Sequence, residues 1–232
     1  MKKLNFIIKY GLALLLLSFY SCESWLNVTP SDRLSEEMLF NDREGFVKAL
    51  NGVYIELNTN ELYGRNLTAG ALDVMGQYYS VASSSHAFYN YGGLVYTGND
   101  EKALFDNMWQ KCYAVIACCN TIIEKCDENK AGLSPVWKGS IKGEALALRA
   151  MLHFDMLRLF GPLTSELDKE SIPYQTNSDQ TVTPLLSGSE VVGLILDDLK
   201  NAVGLLKDTD PYFVEEEFSD TDLNYRRFRM NY

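Results

Sequence analysis

The strongest constraint on the fold is the spacing of apolar residues, which recur every three or four positions over long stretches of the chain. This period places the apolar side chains along one face of an α-helix, whereas a half-buried strand would show strict alternation, which is scarce here. The pattern is clearest in four segments, residues 46–57, 104–123, 136–160 and 192–206. We therefore predict an all-α protein.

Boundary residues support three of these helices. Asn41 or Asp42 can cap the first helix, and Ser187 or Ser189 can cap the fourth, because their side chains accept hydrogen bonds from free backbone N–H groups. The third helix is expected to end at the Gly161-Pro162 pair, since glycine often follows a helix and proline cannot continue one.

Two stretches interrupt the helical pattern. Residues 58–100 are rich in glycine and aromatic residues, and residues 162–187 form a polar connection that contains three prolines. Irregular segments as long as the first are uncommon inside a compact domain and usually carry a function. We therefore predict long irregular loops between the helices, the first of them functional.

The N-terminus is typical of an exported protein. Lys2, Lys3 and Lys9 accompany an apolar stretch over residues 6–17 that is too short to span a membrane. The stretch is soon followed by Ser21 and Cys22, a small residue before a cysteine, as in bacterial lipoprotein signals. We predict a signal peptide over residues 1–21 and lipidation at Cys22, the alternative being an ordinary secretory signal in which the cysteine is incidental.

Charge and motif content argue against several classes of function. The formal net charge is −10, which disfavours binding to nucleic acid. Neither a nucleophile elbow nor a zinc-protease motif occurs, and Leu194-Ile195 stand where a phosphate loop needs Lys-Ser/Thr. We interpret Asp197-Asp198 and Glu215-Glu216-Glu217 as solvated faces and His153 as a packed or capping helix residue. No catalytic residue, metal site or cofactor is predicted, and the chain is not expected to be an enzyme.

Four cysteines lie in and just beyond the second helical segment. Cys112, Cys119 and Cys126 recur every seven residues and so share one helix face, about 10.5 Å apart. This separation exceeds the Cα distance that a disulfide allows, and the adjacent Cys118 and Cys119 point in different directions. We predict that these cysteines act as small apolar residues in a packed helix seam.

Several ordered motifs resemble the SusD/RagB family of outer-membrane nutrient-uptake lipoproteins. The third segment reads Gly-Glu-Ala-Leu-Ala-Leu-Arg-Ala over residues 143–150 and continues to Leu163, like the signature helix of that family. Residues 22–30, 49–54, 109–123 and 197–202 match in the same order. Small side chains in this helix would let neighbouring helices approach closely, as in tetratricopeptide-like helical hairpins, and Arg149 is expected to pair with a carboxylate or cap carbonyls.

The resemblance implies a lipid-anchored, surface-exposed binding protein of the outer membrane. Such a protein captures oligosaccharides for import through a SusC-like TonB-dependent barrel and performs no chemistry itself. Two alternatives stay open: a helical docking module for the transporter that recognises no sugar, and a relative that captures peptides. Family members are usually longer, so residues 22–232 correspond to an N-terminal SusD-like domain and the chain is expected to be incomplete at its C-terminus.

A sugar ligand directs attention to the glycine-rich loop. Carbohydrate sites combine aromatic rings, which stack on the C–H faces of sugars, with a few amide or carboxylate groups that set orientation. Tyr78, Tyr79, Tyr89 and Tyr91 form the core of our hypothesis for ligand or partner contact. The predicted site also includes Asp73, Gln77 and Asn90, within a segment that contains His86, Phe88 and Tyr96. Some of these residues could instead fill a small core beneath the loop.

Overall fold

The structure is a computed structural model that describes residues 36–179, 181–210 and 229–230. The chain divides into two compact units, residues 1–38 and 39–232, and only residues 36–38 of the first are described. The predicted signal peptide, Cys22 and the acidic run at 215–217 lie outside the described residues.

Helices dominate the described part of the chain, which confirms the all-α prediction. In chain order they are α1 (Glu36–Leu39), α2 (Arg43–Leu57), α3 (Ala71–Met75), α4 (Tyr89–Gly92), α5 (Asn99–Glu128), α6 (Pro135–Phe160) and α7 (Gly188–Thr209). A 3-10 helix at Thr164–Glu166 precedes two short antiparallel strands, β1 (Glu170–Pro173) and β2 (Leu185–Ser187). The two predicted connections therefore contain short elements that their sequence pattern did not reveal.

The long helices begin where capping chemistry predicts. The Asp42 carboxylate accepts a hydrogen bond from the Gly45 N–H at 2.8 Å and opens α2. Ser187 opens α7 through a reciprocal capping box with Glu190, which settles the choice between the two serines. Helix α6 ends before Gly161, whose φ of −82° is not left-handed. Glycine is needed there because a Cβ would lie 2.5 Å from the Leu157 carbonyl oxygen.

Helix α6 forms the centre of the fold and is buried on nearly all sides. It packs against α5 and α7, and its alanines contribute to one continuous apolar core. The closest approach to α7 uses glycine, since a Cβ at Gly143 would lie 2.8 Å from Leu206 and one at Gly139 would lie 2.6 Å from Thr209. Small residues therefore set the separation of these helices, as the signature segment predicts.

The cysteine prediction is confirmed for the three heptad-spaced positions. Cys112, Cys119 and Cys126 are fully buried in the core, and all four cysteines of α5 are free thiols. Burial raises the pKa of the Cys126 thiol to about 12, which suppresses its reactivity. Cys118 points to the other side of the helix and is exposed.

Among the described residues, no helix combines the length and apolar character that crossing a membrane requires.

Candidate functional site

The glycine-rich loop encloses an open cavity of about 400 Å³, a volume typical of small-ligand sites. Four of the seven predicted ligand residues line it: Gln77, Tyr79, Tyr89 and Asn90. The rest of the lining comes from Ser80, Val81, Gly92, Gly93 and Val95. We call this space the tyrosine cavity. Asp73, Tyr78 and Tyr91 are not among its lining residues.

Gln77 joins the two short helices that frame the cavity. It follows the end of α3 with a left-handed φ of 62°, a conformation that non-glycine residues adopt only when surrounding contacts hold it. Its Nε2 donates hydrogen bonds to the carbonyls of Gly92 at 3.0 Å and Val74 at 3.3 Å. The side chain therefore ties the end of α3 to the end of α4.

A hydrogen bond to a buried carboxylate fixes the side chain of Asn90. Its Nδ2 donates a 2.8 Å hydrogen bond to Glu101, which lies in the first turn of α5 and is only 5% exposed. The helix N-terminus favours a negative charge at that place. Gly98 makes the arrangement possible, because a Cβ at this residue would lie 2.0 Å from a Glu101 oxygen.

The four predicted tyrosines divide into three kinds. Tyr79 and Tyr89 line the cavity and are 54% and 42% exposed, so their rings are accessible to a ligand. Tyr78 is 80% exposed but lies outside the cavity lining. Tyr91 is only 2% exposed, and its ring belongs to a satellite core with Ala71 and Val74.

The satellite core explains why aromatic density alone overstates the size of the site. Tyr91 makes ring contacts with Phe88, Tyr96 and Phe105, and Phe105 continues the series to Phe160 of α6. These rings fasten the loop to the long helices and take no part in the cavity lining. The sequence could not distinguish these buried rings from the exposed tyrosines, because both kinds of aromatic residue lie close together in the same glycine-rich segment.

Two further cavities have different chemistry. One of about 330 Å³ lies between α6 and α7 and has an entirely apolar lining: Ala150, Met151, Phe154, Val192, Ile195, Leu196 and Leu199. Another of about 590 Å³ includes the cations Lys142, Arg149 and Lys200. Of the three, only the tyrosine cavity combines accessible aromatic rings with amide side chains, a combination that suits a sugar ligand.

A buried polar cluster lies between the long helices, and the sequence located only part of it. Arg149 of α6 forms a bidentate ion pair with Asp198 of α7, with both N–O distances at 2.7 Å. The Tyr174 hydroxyl donates to the same carboxylate at 2.6 Å, and Arg149 also donates to Asn120 at 2.9 Å. The expected pairing of Arg149 is confirmed. The prediction that Asp198 is solvated is wrong, because the α7 face that carries it turns towards α6.

His153 completes this cluster as a packed residue, one of the two roles predicted for it. Its ring stacks on Tyr174 with centroids 3.9 Å apart, and Nε2 accepts a hydrogen bond from the Gln175 N–H at 3.0 Å. Nδ1 lies 2.9 Å from the Arg149 carbonyl oxygen and therefore carries the proton. Burial lowers the pKa of His153 to about 4. Asn120 donates to the carbonyls of Gln175 and Asn177, so the cluster anchors the connection that precedes α7.

Within the described ranges, no cluster of three or more histidine, cysteine or acidic side chains has a geometry that could hold a metal ion. An open cavity of tyrosines and amides carried by packed helices has the form of a ligand-binding site. The comparisons agree with this description. A SusD-like family model, described as starch-binding and associating with the outer membrane, matches residues 24–219. The chain belongs to the SusD-like family.

Named relatives support the assignment. The chain is 27% identical to SusD-like protein P38 of Formosa agariphila over 199 residues, covering 78% of this chain and 34% of that protein. Among solved structures, a SusD-like carbohydrate-binding protein of Bacteroides vulgatus superposes with a TM-score of 0.62 at 23% identity, covering 82% of this chain and 39% of the other.

A SusD homologue of Bacteroides thetaiotaomicron superposes with a TM-score of 0.58 at 18% identity, covering 86% and 36%. These structural likenesses confirm the helical fold. The chain spans about a third of the length of three of the curated relatives it matches. The family consists of binding proteins, in agreement with the prediction that the chain is not an enzyme.

Proposed function

We propose that the chain is a glycan-binding part of an outer-membrane nutrient-uptake protein, and that it captures oligosaccharides at the tyrosine cavity. The observation that carries the proposal is the pairing of two accessible rings, Tyr79 and Tyr89, with two positioned amides, Gln77 and Asn90, around one open space. Rings can stack on sugar C–H faces while amides fix the hydroxyls, and membership of a family described as starch-binding supports this ligand class.

Adjacent tyrosines provide a matched test. The purified chain would be titrated calorimetrically with neutral hexasaccharides of glucose, xylose and mannose. We expect the double variant Y79A/Y89A to bind about 5- to 150-fold weaker, taking about 0.5–1.5 kcal/mol for each of the two aromatic contacts beyond the area it covers. The control Y78A removes a ring that is more exposed than either but lies outside the cavity, and should change the affinity less than about twofold.

Two results would contradict the proposal. One is equal affinity of Y79A/Y89A and the unsubstituted chain for every glycan that binds. The other is the absence of binding by a chain that circular dichroism shows to be helical and folded. The second result would favour the docking module, since that function needs no sugar site.

The membrane part of the proposal depends on Cys22. A lipidated Cys22 would hold the protein at the outer membrane, where a SusC-like TonB-dependent barrel would import the captured glycan. The substitution C22S should move the protein from the membrane fraction to the soluble fraction and abolish labelling by radioactive palmitate. Retention of both properties in C22S would refute lipid anchoring at this residue.

A second candidate function, docking on the transporter, is favoured by the apolar groove between α6 and α7. Three α7 residues with spacings of four and three line this groove, Val192, Leu196 and Leu199, and Val203 continues the same helix face four residues further on. Leu196, Leu199 and Val203 are 48%, 37% and 50% exposed, a pattern suited to contact with another protein surface. L196E should abolish co-purification with a co-expressed SusC-like barrel, whereas Y79A should not. Unchanged co-purification of L196E would exclude this groove as the docking surface.

A further inference from the structure

We infer that the tyrosine cavity favours uncharged glycans, whose hydroxyl groups can donate to the carbonyl oxygens of Gln77 and Asn90, over glycans that carry anionic groups. The inference rests on the proposed function, since it assumes that a glycan occupies this cavity. It follows from the orientation of the two amides of the lining and from the absence of a cation among the described residues of that lining.

The first such atom belongs to Asn90. Its partner, the Glu101 carboxylate, can only accept hydrogen bonds, so the amide must present Nδ2 to it, as the 2.8 Å contact shows. The amide group is planar, and its carbonyl oxygen Oδ1 is therefore turned away from Glu101. Asn90 lines the cavity and offers an acceptor there.

Gln77 is oriented by the same logic. Both of its Nε2 contacts are backbone carbonyl oxygens, of Gly92 and Val74, which again can only accept. These two bonds use both hydrogens of the amide nitrogen. The Oε1 carbonyl is left as the hydrogen-bonding atom that Gln77 can offer to a ligand.

Backbone donors along the same wall are also occupied. The N–H groups of Gly92, Gly93 and Val95 donate to the carbonyls of Phe88, Tyr89 and Asn90, at 3.1, 3.2 and 2.8 Å respectively. The backbone N–H groups of this wall are therefore occupied, and Gln77 and Asn90 each present a carbonyl oxygen there. Other donors of the lining include the hydroxyls of Ser80, Tyr79 and Tyr89 and the second amide hydrogen of Asn90. A sugar hydroxyl can donate to the two amide carbonyl oxygens, whereas a carboxylate or sulfate group cannot.

Charge favours the same ligand class. None of the described residues that line the tyrosine cavity is cationic, and the Glu101 carboxylate lies directly behind Asn90. An anionic group entering the cavity would lose water without gaining a counter-charge. The cavity that contains Lys142 and Lys200 shows that cations are available elsewhere in this fold, so their absence from the tyrosine cavity is a local property.

A matched pair of ligands tests the inference. Hexagalacturonate and its fully methyl-esterified form share one backbone and differ in charge, and maltohexaose provides a second neutral ligand. We expect the ester to bind at least about tenfold tighter than the acid, because each unpaired anionic group carries a desolvation cost. The ratio should persist in 0.5 M NaCl, where repulsion by the overall negative charge is screened.

A substitution links the selectivity to the amide orientation. E101Q keeps the size of the side chain but allows it to donate, so that Asn90 can turn its N–H groups towards a ligand, and it removes the nearby charge. The ester-to-acid affinity ratio should fall at least about threefold in E101Q. D197N removes one negative charge from an exposed position on α7 and should leave the ratio unchanged.

The outcomes separate the inference from the function on which it rests. Equal affinities for hexagalacturonate and its methyl ester would overturn the inferred selectivity while leaving glycan binding intact. An ester-to-acid affinity ratio that disappears in 0.5 M NaCl would do the same. An unchanged ratio in E101Q would refute the role of the Asn90 orientation. Failure of the folded chain to bind any of the neutral glycans would overturn the proposed function, and the inferred selectivity with it.

Discussion

The two adjacent aspartates of α7 provide a sharp test of the structure. Asp197 is exposed and lies 3.4 Å from the exposed Lys200, whereas Asp198 is buried and forms two 2.7 Å contacts with Arg149. Replacing either residue with asparagine removes one negative charge and changes the side-chain volume very little. Any difference between D197N and D198N therefore reports the environment of the carboxylate rather than the composition of the chain.

The expected cost of D198N follows from the burial of the pair. The side chains of Arg149 and Asp198 are 7% and 9% exposed, and removing one partner of a buried ion pair costs about 3–5 kcal/mol because the other charge is left uncompensated. Burial by itself would lower the pKa of Arg149, yet the hydrogen bonds and charge of Asp198 raise it above its ordinary value, so the guanidinium stays charged. Since an amide at 198 still accepts one hydrogen bond, we expect about 3 kcal/mol.

The control has a much smaller expected effect. Exposed ion pairs contribute about 0–1 kcal/mol, so D197N should change the free energy of unfolding by less than about 0.5 kcal/mol. Urea unfolding followed by circular dichroism at 222 nm measures both variants, and equal m-values would show that the denatured states are comparable. In a thermal melt, D198N should lower the Tm by roughly 6–12 °C.

A loss below about 1 kcal/mol in D198N, or equal losses in the two variants, would refute the argument from burial. A double variant checks its cause. R149M/D198L removes both charges and should be less destabilised than D198N alone, because no uncompensated cation remains in the core.

Three further predictions concern other parts of the fold. The pKa of His153 is about 4 in the folded chain and 6.5 in the unfolded chain. Its contribution to stability is therefore complete above pH 6.5 and is lost as the pH falls to 4, by about 3 kcal/mol in total. Urea unfolding across this pH range should show a steeper decline in the free energy of unfolding for the unsubstituted chain than for H153Q. G143A should destabilise the fold by about 1–3 kcal/mol, because its Cβ would lie 2.8 Å from a buried leucine of α7. G193A should stabilise it by roughly 0.5–1 kcal/mol, because no atom lies within 4 Å of the added Cβ. Thermal melts that rank the two variants the other way would contradict the helix packing. Native maleimide labelling followed by peptide mapping should modify Cys118 and spare the three buried cysteines of α5, including Cys126, until urea unfolds the chain.

Much of the fold could be predicted because its causes are local. The ends of α2, α6 and α7 depend on residues within one helical turn, such as Asp42, Gly161 and Ser187, and their chemistry is the same in any tertiary context. The heptad spacing of the cysteines likewise determines that they share a face of α5. The short elements within residues 58–100 and 162–187 were missed because they are held by contacts with the long helices.

The candidate site shows the limit of such reasoning. Composition identified the correct segment, and four of the seven predicted residues line the tyrosine cavity. The sequence could not show that Tyr79 is accessible and Tyr91 is buried. The Tyr79 ring faces solvent and the Tyr91 ring packs in the satellite core, and this difference depends on how the loop folds back on α5. The role of Gln77 as a tie between α3 and α4 also depends on a carbonyl 15 residues away.

The sequence by itself therefore determined the helical class, most long-helix boundaries and the family, since each of these is carried by periodicity, caps or ordered motifs within short segments. The tertiary structure alone decided which of two neighbouring aspartates is buried and which tyrosines can meet a ligand. It also decided which atoms of Gln77 and Asn90 remain free to bind. The physical reason is that burial and hydrogen-bond partnership are properties of pairs: Arg149 and Asp198 are 49 residues apart, and only packing brings them together.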